Sequence, residues 1–246
     1  VAILGLVTPA VPRWEVPEHY RGYRFHDLVE TARRYLPKLR HRADVVLVLA
    51  HSGLGHDPET GAPQPRSPGE DAVWDIAAQV PGIDAIIFGH SHGQLSGLRV
   101  NGVLLVQPKN WAQSVAELRI TLQRDAPQQA WQLVDKQSRL LPVDESIAAD
   151  AEILALARAA HLATERWLNT TVVRAATALD TRTARFEDHP LVELVHRVEL
   201  HYGQAEVALA SAFSPWLEVP AGPVTIRQIF ALDPSESQLV TIELTG

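Results

Sequence analysis

Two short apolar runs decide most of what this chain can become: Asp44 to Ala50 (DVVLVLA) and Asp84 to Phe88 (DAIIF). Each is shorter than a typical helix and too uniformly apolar for a strand with one wet face, so each reads as an inner strand of a parallel sheet. Parallel neighbours need a crossover connection, and a helical pattern precedes each run. Before the first, Asp27 stands as an N-cap with Glu30 three residues on, and Leu28, Ala32, Tyr35, Leu36 and Leu39 make one apolar face. Before the second, Ser67-Pro68-Gly69-Glu70 predicts a capping box with proline at the first helical position, followed by the buried stripe Val73, Ile76, Ala77 and Val80. Both strands then stop at histidine. His51 follows the first directly, and Gly89-His90-Ser91-His92 follows the second.

In an open α/β sheet, side chains just beyond the carboxyl ends of neighbouring strands converge on one crevice, where such folds place ligands. One residue separates His90 from His92, so an extended backbone sends both rings to the same side, while Gly89 permits a tight turn. The chain has no cysteine, so any metal must be held by imidazole and oxygen. Neutral imidazole suits Zn, Mn, Fe or Ni, and two such ions about 3.5 to 4 Å apart polarise a phosphoryl group and activate water. Three histidines are half of what such a site needs. A bridging carboxylate and further oxygens are also required, and Asp57 and Asp71 in the intervening loop carry no signature for that role. Among the 11 histidines, His19, His26, His41, His161, His196 and His201 form no constellation and read as ordinary residues. The same bland reading competes with metal binding at His51, His90 and His92, where strand-end placement and glycine context weigh against it.

Around this centre, Val1 to Val7 reads as a buried strand followed by a loop rich in proline (Pro9, Pro12, Pro17). Val103 to Val106, Ser114 to Leu122 and Trp131 to Ser138 suggest further strands, the later ones antiparallel and part-exposed. Asp144 to Leu168 predicts one long helix, and the domain boundary is placed there. Beyond it come the β-branched run Thr170 to Val173, a helix carrying Leu191, Val195, Val198 and Tyr202, and strands at Glu206 to Ala210 and Leu239 to Thr245. The net charge is -7 and the 22 basic residues are scattered, which argues against a polymeric nucleic-acid partner. No window approaches the roughly 18 to 20 apolar residues of a membrane helix. The first residue is Val1 and no methionine follows, so the chain reads as processed or as a piece of something longer, without a legible signal peptide.

Ala50-His51-Ser52-Gly53 and Phe88-Gly89-His90-Ser91-His92 resemble the last two metal-ligand motifs of the calcineurin-like metallophosphoesterases, in particular the bacterial 5'-nucleotidases and 2',3'-cyclic-nucleotide phosphodiesterase/3'-nucleotidases. Glu30 to Pro37, and Asn101-Gly102-Val103 through Pro108 and Trp111, look like the cyclic phosphodiesterase branch. The resemblance runs from Val1 to about Leu122 and again from about His189 to Gly246. It implies an α/β chain: residues 1–143 as the C-terminal half of a metallophosphoesterase domain, 144–168 as a linker helix, and 169–246 as the beginning of a smaller α/β 5'-nucleotidase-type substrate domain. It implies two divalent metal ions in the intact enzyme, with His51 and His90 on one and His92 on the other. It also implies earlier Asp-x-His, Gly-Asp and Gly-Asn-His motifs, none of which occurs here, so this segment holds no catalytic residue and is expected to be inactive alone.

In the second part, Ser211-Ala212-Phe213-Ser214-Pro215-Trp216 is closer to the Ser-Ala-x-x-Pro-Phe of the cyclic phosphodiesterases than to the glycine run and arginine of the 5'-nucleotidases. Phe213 and Trp216, with Phe230, are the candidates for stacking on a base, a contact worth roughly 1 to 3 kcal/mol. Helical spacing of Ile226, Ile229 and Phe230 makes a core role the stronger reading for Phe230. Where the family places a base-stacking aromatic ahead of the final strand, this chain has Asp233-Pro234-Ser235-Glu236-Ser237. The resemblance implies a small-molecule nucleotide or phosphoester substrate and export to the periplasm or cell surface. The rival readings are a 5'-nucleotidase or UDP-sugar hydrolase, and a non-catalytic binding protein that keeps the fold.

Overall fold

The computed structural model describes residues 1–64, 68–211, 214, 216–234 and 238–244. The chain divides into two compact units, Val1–Ala148 and Ala149–Gly246.

The first unit is built on a five-stranded sheet of β1 (Ala2–Val7), β2 (Val46–His51), β3 (Ala85–Phe88), β4 (Leu95–Val100) and β5 (Val103–Gln107), in the order β1-β2-β3-β5-β4. Neighbours from β1 through β5 are parallel, and β4 pairs antiparallel with β5. Two crossover helices, α1 (Leu28–Arg40) and α2 (Val73–Gln79), cover one face. Leu28, Ala32 and Leu36 of α1 and Val73, Ile76 and Ala77 of α2 pack there on Val46, Val48, Ile86 and Leu105. The Asp27 carboxylate caps α1, accepting the Glu30 N–H at 2.8 Å. Tyr35 lies off the buried stripe and is exposed. At the far end of the sheet, Asp84 ties the two crossovers together, its Oδ2 accepting from Arg40 at 2.6 Å and from the Val46 N–H at 2.7 Å.

The second face of the sheet is closed only in part. Toward β5 it is covered by the hairpin β6 (Ser114–Gln123) and β7 (Gln132–Pro142). The Lys136 ammonium donates to the Asp84 carbonyl at 2.7 Å, and the Ser138 hydroxyl to the Ser96 carbonyl at 2.6 Å. Every residue of β5 is buried as a result. Over β1 and β2 the same face leaves Ile3, Val7 and Leu49 exposed, so the uniformly buried strand expected at Val1 to Val7 is an edge strand with alternating burial. The helix expected from Pro68 starts five residues later. Gly69 has a φ of +74°, which breaks a right-handed helix, and Pro68 to Glu70 form turns instead. Ser67, the expected cap, lies outside the described residues.

In the second unit, α3 (Ala151–Leu168) begins at Ala151 rather than Asp144, because the Asp150 carboxylate takes the N–H groups of Glu152 and Ile153 at 2.9 and 3.0 Å. It is followed by β8 (Thr171–Ala175), β9 (Leu179–Asp180), α4 (Pro190–Gly203), β10 (Glu218–Val219), β11 (Gly222–Thr225) and α5 (Ile226–Phe230). β8 pairs with β11 and β9 with β10, both antiparallel, around a small core of Leu191, Val219 and Val224. Glu206 to Ala210 and the described residues from Leu239 to Leu244 form no strand, contrary to their apolar pattern. No ladder partner lies beside them among the described residues, and without one a β pattern leaves its backbone groups to water. Thr245 lies outside the described residues. No helix among the described residues is long and apolar enough to cross a membrane.

Candidate metal centre

The register of two parallel strands brings the histidine loops together. Ala50 of β2 stands beside Phe88 of β3, and the Gly89 N–H donates to the Ala50 carbonyl at 3.2 Å. One residue further on β2 is His51, and two further past β3 is His90. Their rings meet at 5.0 Å between centroids, with His90 Nδ1 3.3 Å from His51 Nε2. His92 is on the same loop, its ring edge-on to Trp111 at 6.0 Å. Both His90 and His92 adopt left-handed backbone, with φ of 71° and 56°. The extended Gly-His-Ser-His expected from sequence is therefore a left-handed turn.

The loop between β2 and α2 is laced to this corner by buried polar groups. Ser52 is fully buried; its hydroxyl donates to the Glu70 carbonyl at 2.7 Å and accepts the Ala72 N–H at 3.0 Å. Asp71 Oδ1 accepts the Gly53 N–H at 2.8 Å. These bonds hold Glu70 over the histidines, where its Oε1 lies 2.9 Å from His90 Nε2. Asp57 is used locally, accepting from the N–H groups of Glu59 and Thr60 and from the Thr60 hydroxyl. Asp57 and Asp71 thus have structural roles, while Glu70, which sequence placed in a capping box, is the carboxylate at the site. Trp14 was also unforeseen: it stacks on the His90 ring at 5.6 Å between centroids. Neither signal was local, since both contacts depend on the crossover geometry.

Burial, and after it the neighbouring imidazoles of His90 and His92, lower the pKa of His51. A neutral His51 is the form that ligates metal. The donor chemistry fits a divalent ion in part: two imidazole nitrogens face one another, and the far nitrogen of one is held by a carboxylate, the usual support of a ligating histidine. No group of three His, Asp or Glu side chains among the described residues converges closely enough to complete such a site. Of the substrate candidates, Trp216 is exposed and Phe230 is half-exposed rather than core; Phe213 lies outside the described residues.

Two family models match: calcineurin-like phosphoesterase over residues 8–94, and the 5'-nucleotidase C-terminal domain over residues 166–246. The chain therefore carries a calcineurin-like phosphoesterase domain followed by a 5'-nucleotidase C-terminal domain. It is 26% identical to a 2',3'-cyclic-nucleotide 2'-phosphodiesterase/3'-nucleotidase of Salmonella typhimurium, a match over all of this chain and 43% of that protein. Among solved structures it is similar to a Staphylococcus aureus protein assigned as a 5'-nucleotidase, with 27% identity and a TM-score of 0.72 over 94% of this chain and 44% of that one. It is also similar to the calcineurin-like phosphoesterase YfkN of Bacillus subtilis, with 26% identity and a TM-score of 0.56 over 67% and 52%. The chain thus spans less than half the length of the Salmonella relative.

Proposed function

We propose that this chain is the part of a metal-dependent nucleotide phosphoesterase that contributes His51, His90 and His92 to a two-metal site, and that it does not turn over substrate by itself. The observation that carries the reading is the facing pair His51 Nε2 and His90 Nδ1 at the carboxyl ends of adjacent parallel strands, 3.3 Å apart. Divalent ions held there, Zn, Mn, Fe or similar, would supply Lewis acidity toward a phosphoryl group. The residues of this chain do the holding. Glu70 accepts a hydrogen bond from the Nε2–H of His90, which leaves the Nδ1 lone pair to face a metal. Trp14 screens one face of the His90 ring from water.

Substrates of the 2',3'-cyclic nucleotide and 3'-nucleotide class are favoured by the name of the Salmonella relative and by the Ser-Ala-x-x-Pro pattern from Ser211 to Pro215. An exported setting, periplasmic or at the cell surface, belongs to the same reading. The test has two arms. Calorimetry with Zn2+ should give binding that His51→Ala abolishes. Hydrolysis of bis(p-nitrophenyl) phosphate and 2',3'-cyclic AMP with Mn2+ should not exceed that of His51→Ala/His92→Ala. Turnover above that control would remove the claim of inactivity, and Zn2+ binding indifferent to His51 would remove the metal site.

A further inference from the structure

His90 and His92 sit at φ of 71° and 56°, a region that residues with a Cβ adopt only where their surroundings over-determine it. The surroundings that do so belong to β5. Gln107, its last residue, is 4% exposed, and its side-chain amide reaches across to the histidine loop. Nε2 lies 3.4 Å from the Gly89 carbonyl and 3.1 Å from the Ser91 hydroxyl, and Oε1 lies 3.3 Å from that same hydroxyl. These contacts straddle His90. The loop is shaped to admit the amide: a Cβ on Gly93 would stand 3.3 Å from Gln107 Oε1. Two residues further along the chain, the Lys109 ammonium donates to the His92 carbonyl at 3.2 Å.

A buried primary amide is costly unless it is hydrogen-bonded. The sheet does not need this one, since Gln107 meets its β4 neighbour Leu95 through the backbone. All the side-chain hydrogen-bond partners just named lie on one five-residue loop. We propose that Gln107 is a positioning residue, which clamps Gly89 to Gly93 in the left-handed turn that aims His90 at His51 and fixes where His92 stands. The inference rests on the reading of these histidines as metal ligands, and it explains why a polar side chain occupies an otherwise apolar strand.

The experiment uses the full chain with three variants: Gln107→Met, which keeps the volume and removes the hydrogen bonds, Ser91→Ala, and the double variant. Amide hydrogen exchange is read at Gly89 and Ser91, which donate to the Ala50 and Gly89 carbonyls, and Zn2+ affinity is read by calorimetry. Gln107→Met should speed exchange at these two amides roughly tenfold while β2 and β3 keep their protection, and should weaken Zn2+ binding by about 10- to 100-fold, as loss of an outer-shell partner does. Ser91→Ala should reproduce part of both effects, and the double variant should be little worse than Gln107→Met. Unchanged loop exchange, additive variants, or a loss of protection spread evenly over the sheet would each overturn the clamp. Should Gln107→Met not fold, Ser91→Ala alone decides by the same exchange readout. If the wild-type chain binds no Zn2+, the metal reading falls while the exchange data still judge the clamp.

Discussion

His90 gives its two ring nitrogens to different neighbours, Nε2 standing 2.9 Å from Glu70 Oε1 and Nδ1 standing 3.3 Å from His51 Nε2. A carboxylate on one nitrogen fixes the tautomer and the ring plane, and makes the other nitrogen the better electron donor. Glu70 is held for this task by a second layer, the fully buried Ser52, which bonds the backbone on both sides of Asp71. Glu70→Gln keeps an acceptor and loses the charge, whereas Glu70→Ala loses both. Zn2+ affinity measured by calorimetry should fall about 10-fold in the first and approach a 100-fold loss in the second, with little change in the urea midpoint. Equal affinities in wild type and both variants would detach Glu70 from the site.

Asp84 performs the corresponding service at the other end of the sheet. Its side chain is largely buried, and one oxygen accepts both from Arg40 and from the first N–H of β2. Asp84→Ala leaves that N–H without its acceptor and the half-buried Arg40 guanidinium with only the Gly82 and Asp44 carbonyls, which should cost about 2 to 4 kcal/mol. Urea denaturation followed by far-UV circular dichroism measures it. A loss below about 0.5 kcal/mol, the level of an ordinary surface pair, would show that water replaces the carboxylate without penalty.

In the second unit, Arg182 hydrogen-bonds Asp180 through its side chain and its backbone N–H, holding the carboxyl at a pKa of about 2 against an ordinary 3.8. A carboxylate whose pKa is depressed by folding contributes stability that is present above pH 3.8 and is lost as pH falls toward about 2. Arg182→Ala should therefore move the Asp180 titration upward toward the ordinary value, visible in the carboxyl carbon shift by NMR. It should also reduce stability above pH 4 and not below pH 2. A midpoint unmoved by the substitution would assign the shift to something other than Arg182.

The parallel strands were legible because their signal is local: two apolar runs of strand length, each fed by a helical pattern. The meeting of His51 and His90 then follows from register, since parallel strands place equivalent ends side by side. Glu70 was not legible, because its position depends on the left-handed Gly69 and on the Ser52 hydroxyl, which lies 18 residues away. β4 escaped for another reason. Its sequence, LSGLRV, has no clean period of two and contains glycine, and it is a strand because β5 lies alongside. Leu239 to Leu244 show the converse, an apolar stretch that the described residues leave without a ladder.

Gly53, in the first histidine loop, lies against both Asp71 of the helix-entry loop and Ser91 of the second histidine loop. A Cβ built there would stand 2.1 Å from Asp71 Oδ1, which is impossibly short, and 3.0 Å from Ser91 Cβ, which is tighter than an ordinary contact, while the Gly53 N–H needs that same Asp71 oxygen at 2.8 Å. Gly53→Ala must therefore displace Asp71 or push the Ser91 loop away from His51. The cost should be about 1 to 3 kcal/mol, the range found for overpacking, with Zn2+ affinity lost as well. Asp71→Ala frees the space at the expense of one hydrogen bond, so it should destabilise on its own by about 1 kcal/mol. The two substitutions together should then be milder than the sum of their separate effects, because the second relieves the clash made by the first. Urea denaturation of the four species decides the matter. A coupling of zero would mean that the loops part freely, and that the facing histidines owe their distance to the strands alone.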